Sequence, residues 1–143
     1  MPDRREFDHI ASYNFKVEID GITTSSFLEA EGLESITGVM RSKDGDSLTR
    51  RNQPGQTTYA NLILRRGFTN EANLSAWRSA VIAGDIQRKS GSIIILDEAG
   101  REIMRFNFFE AWPCRWKLGK LSTLTDSVLI EEVELVVEKI EKG

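Results

Sequence analysis

The sequence lacks almost everything that marks a catalytic or metal-binding chain. Its 143 residues include one cysteine, one histidine and three prolines. A single cysteine excludes an intramolecular disulfide framework and any cysteine-rich metal site. Cys114 falls on an apolar stripe, where an inert thiol is favoured over a nucleophile. His9 lies in a polar terminus with no second histidine or cysteine nearby, so Ser-His and Cys-His arrangements lack support. No apolar run approaches the roughly 18 residues of a membrane span, and stable membrane insertion is not expected. The start MPDRREFDHIAS has charges but no apolar core of a secretory signal, so synthesis in the cytosol without Sec export is the default expectation. The net charge of −3 is mild and provides no global basic field for nucleic acid.

The recognisable chemical motifs are missing too. There is no dinucleotide fingerprint and no Gly-Lys-Ser/Thr phosphate loop. Asp44-Gly45-Asp46 shares part of a calcium loop, but the later glutamate ligand is absent where Thr49 to Gln53 run. Glu131 and Glu132 are adjacent, and on a strand they point to opposite faces. No catalytic set, metal or cofactor is expected, and the chain reads as non-enzymatic.

What is present is apolar alternation, most of all in Ile103–Leu118, IMRFNFFEAWPCRWKL. Read with a period of two, Met104, Phe106, Phe108, Glu110, Trp112, Cys114, Trp116 and Leu118 share one face. Each fully buried ring contributes roughly 1.5–3 kcal/mol, so a core should form on this ribbon. Pro113 cannot donate a ladder hydrogen bond and should mark a break, bulge or edge between two strands. Glu110, beside it, should escape to solvent. The expected core anchors are Phe15, Trp77, Phe106, Phe108, Trp112 and Trp116. On that reading Trp112→Ala unfolds the subunit, at roughly 3–5 kcal/mol.

The remaining chain reads as one domain, 1–143, with residues 1–11 as a flexible arm. Tyr13–Ile19 alternates Tyr13, Phe15, Val17 and Ile19 against Asn14, Lys16 and Glu18, and Asp20-Gly21 signals a turn. A second strand over Ser26–Ile36, weakened or bulged at Gly32, would form a hairpin with the first. Its solvent side carries Glu29, Glu31 and Glu34. From residue 38 to 56 the pattern stops in a long, locally basic loop, where Arg41, Lys43, Arg50 and Arg51 outnumber Asp44 and Asp46. Loops of this length are functional or disordered, and a docking arm and a flexible loop compete on equal terms.

Thr57–Arg66 reads as a covered strand. Next comes a helix capped by Thr69 or Asn70, with Leu74, Trp77, Val81 and Ile82 as its apolar stripe and Gly84 as its stop. Ser92–Leu96 is a short strand, and Asp97-Glu98-Ala99-Gly100 a hairpin turn. Ser127–Ile140 should be the last strand, with Val133, Leu135 and Val137 opposite Glu132, Glu134 and Glu138. Roughly six or seven strands with hairpin spacing and one helix predict a mainly β protein. Its two packed antiparallel sheets, a sandwich or barrel, would carry one flanking α-helix.

The order of phrases resembles a known family. YNFKVEIDG, FLEAEGL, LILRRG ahead of a Trp-bearing helix, the turn DEAG, FFEAWPCRWKLG and the close IEEVELVVEKIEKG resemble the tail tube proteins of contractile-tailed phages. They also resemble the inner tube proteins of extracellular contractile injection systems. Ala111-Trp112-Pro113 is the most specific part, and the likeness spans Tyr13 to Lys142. The resemblance implies a tail-tube-like fold and a structural protein that forms hexameric rings. Such rings stack into a rigid inner tube inside a sheath protein, with baseplate and tube-terminator proteins at the ends. The lumen conveys effector protein or DNA without sequence-specific nucleic-acid binding, in a virion tail or a released particle.

On this resemblance the 38–56 loop meets neighbouring subunits through Arg41, Lys43, Asp44, Asp46, Arg50 and Arg51. Arg50 and Arg51 could face Glu29, Glu31 and Glu34. Asn14, Lys16, Glu18, Glu132, Glu134 and Glu138 are candidates to line the lumen. The alternatives are a tube-initiating or baseplate adaptor protein, a type VI secretion ring protein, and, in a different class, a small β-barrel ligand-binding module.

Overall fold

The computed structural model describes residues 10, 14–22, 27–43 and 50–143. The aromatic ribbon is one strand, β7 (Glu102–Leu118), and the two layers of the fold meet along it. Its first half pairs on one side with β6 (Lys89–Leu96) and on the other with β9 (Lys139–Lys142). Its second half pairs with β8 (Ile130–Val136). Beyond these partners lie β1 (Asn14–Ile19) on β6, and β5 (Leu62–Gly67) and then β2 (Phe27–Glu31) on β8. All pairings are antiparallel. One layer is therefore β1-β6-β7-β9 and the other β7-β8-β5-β2.

A single core joins the layers. Val17, Ile19, Ile93 and Phe108 from the first pack with Leu62, Leu64, Val133 and Leu135 from the second. Helix α1 (Asn73–Ile82) adds Leu74 and Trp77 to this cluster and touches β7, where Arg78 donates to the Pro113 carbonyl at 3.3 Å. The Trp77 indole N–H is satisfied by the Gln87 carbonyl at 2.7 Å, so the ring can be buried whole. The expected sandwich with one helix is the fold observed.

Pro113 does not break the ribbon, but the alternation along it slips. Glu110 is exposed and holds a φ of 55°, in the left-handed region. This extra residue moves the inward face from Phe108 to Ala111 and Pro113, all buried. A second irregularity between Pro113 and Arg115 brings Trp116 back against the core. Trp112 falls between the two slips. It pairs with Val136, on the face of the layer away from the core, and is half-buried. The assignment of Trp112 to the core is corrected accordingly, because a one-residue slip sends a side chain to the opposite face.

Other expectations change as well. The first two strands do not form a hairpin, since β1 pairs with β6 and β2 with β5. The expected strand over Ser26–Ile36 stops at Gly32, whose φ of 104° and close approach to the Asn61 carbonyl admit no side chain. Of the segment read as a loop from 38 to 56, the described residues 38–43 and 50–56 instead belong to two strands, β3 (Ser35–Lys43) and β4 (Arg50–Tyr59), paired as a separate two-stranded sheet. The strand expected over Thr57–Arg66 is divided at Ala60-Asn61 between β4 and β5. The flexible arm expected over residues 1–11 lies outside the described residues except at Ile10.

Neither Thr69 nor Asn70 caps the helix. Ala72 occupies the N-cap position without a side-chain hydrogen bond, while Thr69 accepts the Glu71 N–H. At the other end Gly84, with a φ of 92°, closes the helix as expected. Its N–H reaches the Val81 carbonyl and that of Asp85 the Ala80 carbonyl, the two bonds of a Schellman turn. Ile82, expected on the buried stripe, is exposed at this end. The predicted turn at Asp97–Gly100 is present: Asp97 Oδ1 accepts the Ala99 and Arg101 N–H groups, and Gly100 has a φ of 80°. The expected last strand is two, β8 and β9.

Candidate assembly surfaces

The most conspicuous surface is the β3–β4 arm. The pair Glu31↔Ile63 belongs to β2–β5, and Ser35↔Tyr59, four residues further along each strand, belongs to β3–β4. The arm is therefore the continuation of a body hairpin past a kink at Gly32 and Asn61. Thr37 and Thr57 hydroxyls bridge its strands at 2.9 Å. Beyond the kink it packs on almost nothing among the described residues, and Ile36, Val39 and Met40 are exposed. In β4 only Gly55 and Tyr59 are partly covered.

Arg41 lies exposed on β3, opposite Asn52, and Arg50 and Arg51 lie exposed on β4. Lys43 pairs with Arg50 along the backbone at the far end of the arm. Asp44 and Asp46 lie outside the described residues. Within the chain Glu29 and Glu31 both pair with Arg65, at 2.9 and 3.0 Å. Glu34 is exposed at the kink, and its carbonyl accepts the Ala60 N–H.

Arg65 is the centre of the outward face of the β7-β8-β5-β2 layer. It also meets Glu132 at 2.7 Å, and this bond, more than those to Glu31 and Glu29, raises its pKa above the usual arginine value. Glu132 lies 4.0 Å from Arg115 as well. Glu134 accepts from Asn61 at 2.7 Å and sits beside Cys114. Burial, and then Glu134, push the Cys114 thiol above its ordinary pKa, which lowers its thiolate fraction. Glu138 is exposed in the turn between β8 and β9.

The outward face of the other layer carries a separate network. Lys16 and Glu18 pair at 3.5 Å, Arg105 reaches Glu18 at 3.7 Å, and Arg105 binds Glu102 at 2.9 Å. The Glu102 contact is the main cause of the raised Arg105 pKa. Asn14 accepts the Phe15 N–H. The structure thus divides the six lumen candidates between two layers: Asn14, Lys16 and Glu18 on one, Glu132 and Glu134 on the other, Glu138 just beyond.

Of the expected core anchors, Trp77 and Phe108 are buried, and Phe15 and Trp116 are half-buried against the core cluster. Phe106, expected in the core, is half-buried outside that cluster and lines a cavity at the root of the arm. One inward group was not foreseen. Arg66 and Glu131, each 1% exposed, pair at 2.7 Å inside the β7-β8-β5-β2 layer, with the Trp116 indole donating to Glu131 at 2.8 Å. Among the described residues no cluster of three or more His, Cys, Asp or Glu could hold a metal ion, and no helix is long and apolar enough to cross a membrane.

Solved structures share this architecture. A chain of the extended sheath–tube complex of PVC, an extracellular contractile injection system, superposes with a TM-score of 0.85 at 21% identity, covering 96% of this chain and 93% of that one. A chain in the six-fold symmetrised baseplate of the anti-feeding prophage gives 0.82 at 22% identity, covering 95% and 96%. Hcp1 from Flavobacterium johnsoniae gives 0.62 at 16% identity, covering 92% and 95%. No curated protein matches the sequence. Residues 11–141 match the family of the T4-like virus tail tube protein gp19. The paired layers, the projecting ribbon and this match over nearly the whole chain identify a tail tube protein: the chain belongs to the T4-like virus tail tube protein gp19 family.

Proposed function

We propose that this chain is the repeating unit of a hollow tube, closing into hexameric rings that stack end to end. The observation that carries the reading is the arm. A lone two-stranded hairpin is marginally stable in water, yet β3–β4 runs far beyond the core with Ile36, Val39 and Met40 uncovered. Burial against neighbouring subunits gives the arm the cover that the described residues of its own chain do not. Arg41, Lys43, Asp44, Asp46, Arg50 and Arg51 fall in this segment and are the proposed polar contacts, with Glu34 as an acidic counterpart at the kink. A ring repeats one modest contact many times, so a small interface suffices for a stiff assembly.

The tube is a structural and not a catalytic part. A sheath protein surrounds it, baseplate and terminator proteins bound it, and effector protein or DNA travels inside without sequence-specific contacts. It is made in the bacterial cytoplasm and assembled into a phage tail or a released injection particle, with no stable insertion in a membrane. We assign the outward face of the β7-β8-β5-β2 layer to the lumen. There Glu29, Glu31, Glu132 and Glu134 outnumber Arg65, Arg115 and Lys117, an anionic excess that does not retain nucleic acid. Asn14, Lys16 and Glu18 then face outward.

Negative-stain microscopy of the purified protein tests the reading. The wild-type chain should give rings or stacked tubes, and Val39→Asp/Met40→Asp should give folded monomers. A wild type that stays monomeric at every concentration overturns the proposal.

A further inference from the structure

Two features remain uncovered by the other described residues, and they lie at opposite ends of β7. The segment 119–129, between β7 and β8, carries three apolar residues into solvent: Leu121 at 74%, Leu124 at 92% and Val128 at 72% exposure. Leu124 is the most exposed large apolar residue among those described. At the other end, the root of the arm and the body enclose a shallow cavity of about 220 Å³. Leu33, Tyr59, Phe106 and Ile140 line it, and Glu34 and Lys142 bring one charge of each sign. That volume is below the roughly 300–1,000 Å³ of small-molecule sites and is on the scale of an inserted side chain.

The charges around the protruding leucine match. Lys120 and Asp126 flank Leu124 on its two sides, and both are exposed. A cation and an anion therefore accompany the leucine, as an anion and a cation accompany the cavity. We propose that Leu124 of one copy of this chain seats in the Leu33–Tyr59–Phe106–Ile140 cavity of a second copy, with Lys120 toward Glu34 and Asp126 toward Lys142. The contact rests on the tube reading and adds a joint to it. Leu124, exposed in its own chain, does not fill its own cavity, and along β7 up to roughly 40 Å, at about 3.3 Å per residue, separates Phe106 from Leu118, where the protruding segment begins. Knob and hole on different surfaces make a heterologous contact, which propagates from copy to copy as rings and stacks require.

The test compares wild type, Leu124→Asp, Lys120→Glu and Lys120→Glu/Glu34→Lys by sedimentation and microscopy over a concentration series. Thermal melts monitor folding. Leu124→Asp should melt as wild type does and raise the concentration needed for assembly by about tenfold or more. Lys120→Glu should weaken assembly, and the added Glu34→Lys should restore it. Wild-type tubes with Leu124→Asp assembling at the same concentration overturn this contact alone. So does a Leu124→Asp tube that forms normally but no longer retains a sheath, which would make the sheath the occupant. A wild type that never assembles overturns the tube reading and this contact with it.

Discussion

Glu110 bears more of the fold than its polarity suggests. It is the one described non-glycine residue with positive φ, a conformation costing about 1–3 kcal/mol, and it sits where β7 passes from one layer to the other. Glu110→Gly should therefore raise the melting temperature, and Glu110→Val should lower it, as differential scanning calorimetry would record. Trp112 follows from the same slip. Half-buried on the outward face, it should tolerate Trp112→Ala with the subunit still folded, whereas Phe108→Ala, at 0% exposure, should cost roughly 3–5 kcal/mol in urea unfolding. Sequence alternation alone put both rings on one face because nothing in the spelling of FFEAWPC marks which residue is the extra one.

The Arg66–Glu131 pair has a signal in the sequence. Arg65-Arg66 and Glu131-Glu132 are like-charged neighbours in strands, so one member of each must point inward. Paired in the core, each depends on the other. Arg66→Met alone should destabilise by about 3–5 kcal/mol in denaturant titration, and Arg66→Met/Glu131→Leu by much less. Equal losses in the single and double variants would show that the pair does not act as a unit.

Among the elements, the short-range ones were the most legible. The turn at Asp97–Gly100, the Gly84 helix stop and the alternation of β1 and β8 follow from local chemistry, and the structure has them where the residues place them. Pairing partners were not legible, because β1 joins β6 across about half of the chain and local pattern cannot choose between distant partners. The arm was missed for a related reason. A strand exposed on both faces needs no apolar alternation, so β4 reads as a loop.

The Asp97 turn also carries a pH dependence. Backbone donation from Arg101, first among the causes, holds the Asp97 carboxyl below its ordinary pKa. A depressed carboxylate stabilises the fold above its unfolded pKa and loses that contribution as the pH falls through the folded one. Asp97→Asn should thus weaken the turn at neutral pH, and the difference from wild type should vanish in strong acid. Amide exchange of Ala99 and Arg101 would report it.

For the whole molecule, the family and its layered fold were readable from the ordered phrases, while the orientation of the layers in an assembly was not. Both outward faces alternate charges, and alternation says nothing of inside or outside. Cys114 can decide. If the Glu134 side of the molecule faces the lumen, a bulky maleimide should label Cys114 in dissociated subunits but not in intact tubes with closed ends. Equal labelling would place that face outside.

The kinked ribbon has a mechanical meaning as well. A hydrogen-bonded ladder pulled from one end opens rung by rung, but one pulled along its strands must lose many rungs together. Because β3–β4 continues directly into β2–β5, traction on the arm by a neighbour runs lengthwise into the body layer. The load is taken in shear, the direction in which antiparallel strands resist most, and the bend at Gly32 and Asn61 is a point along that path where the ribbon can flex.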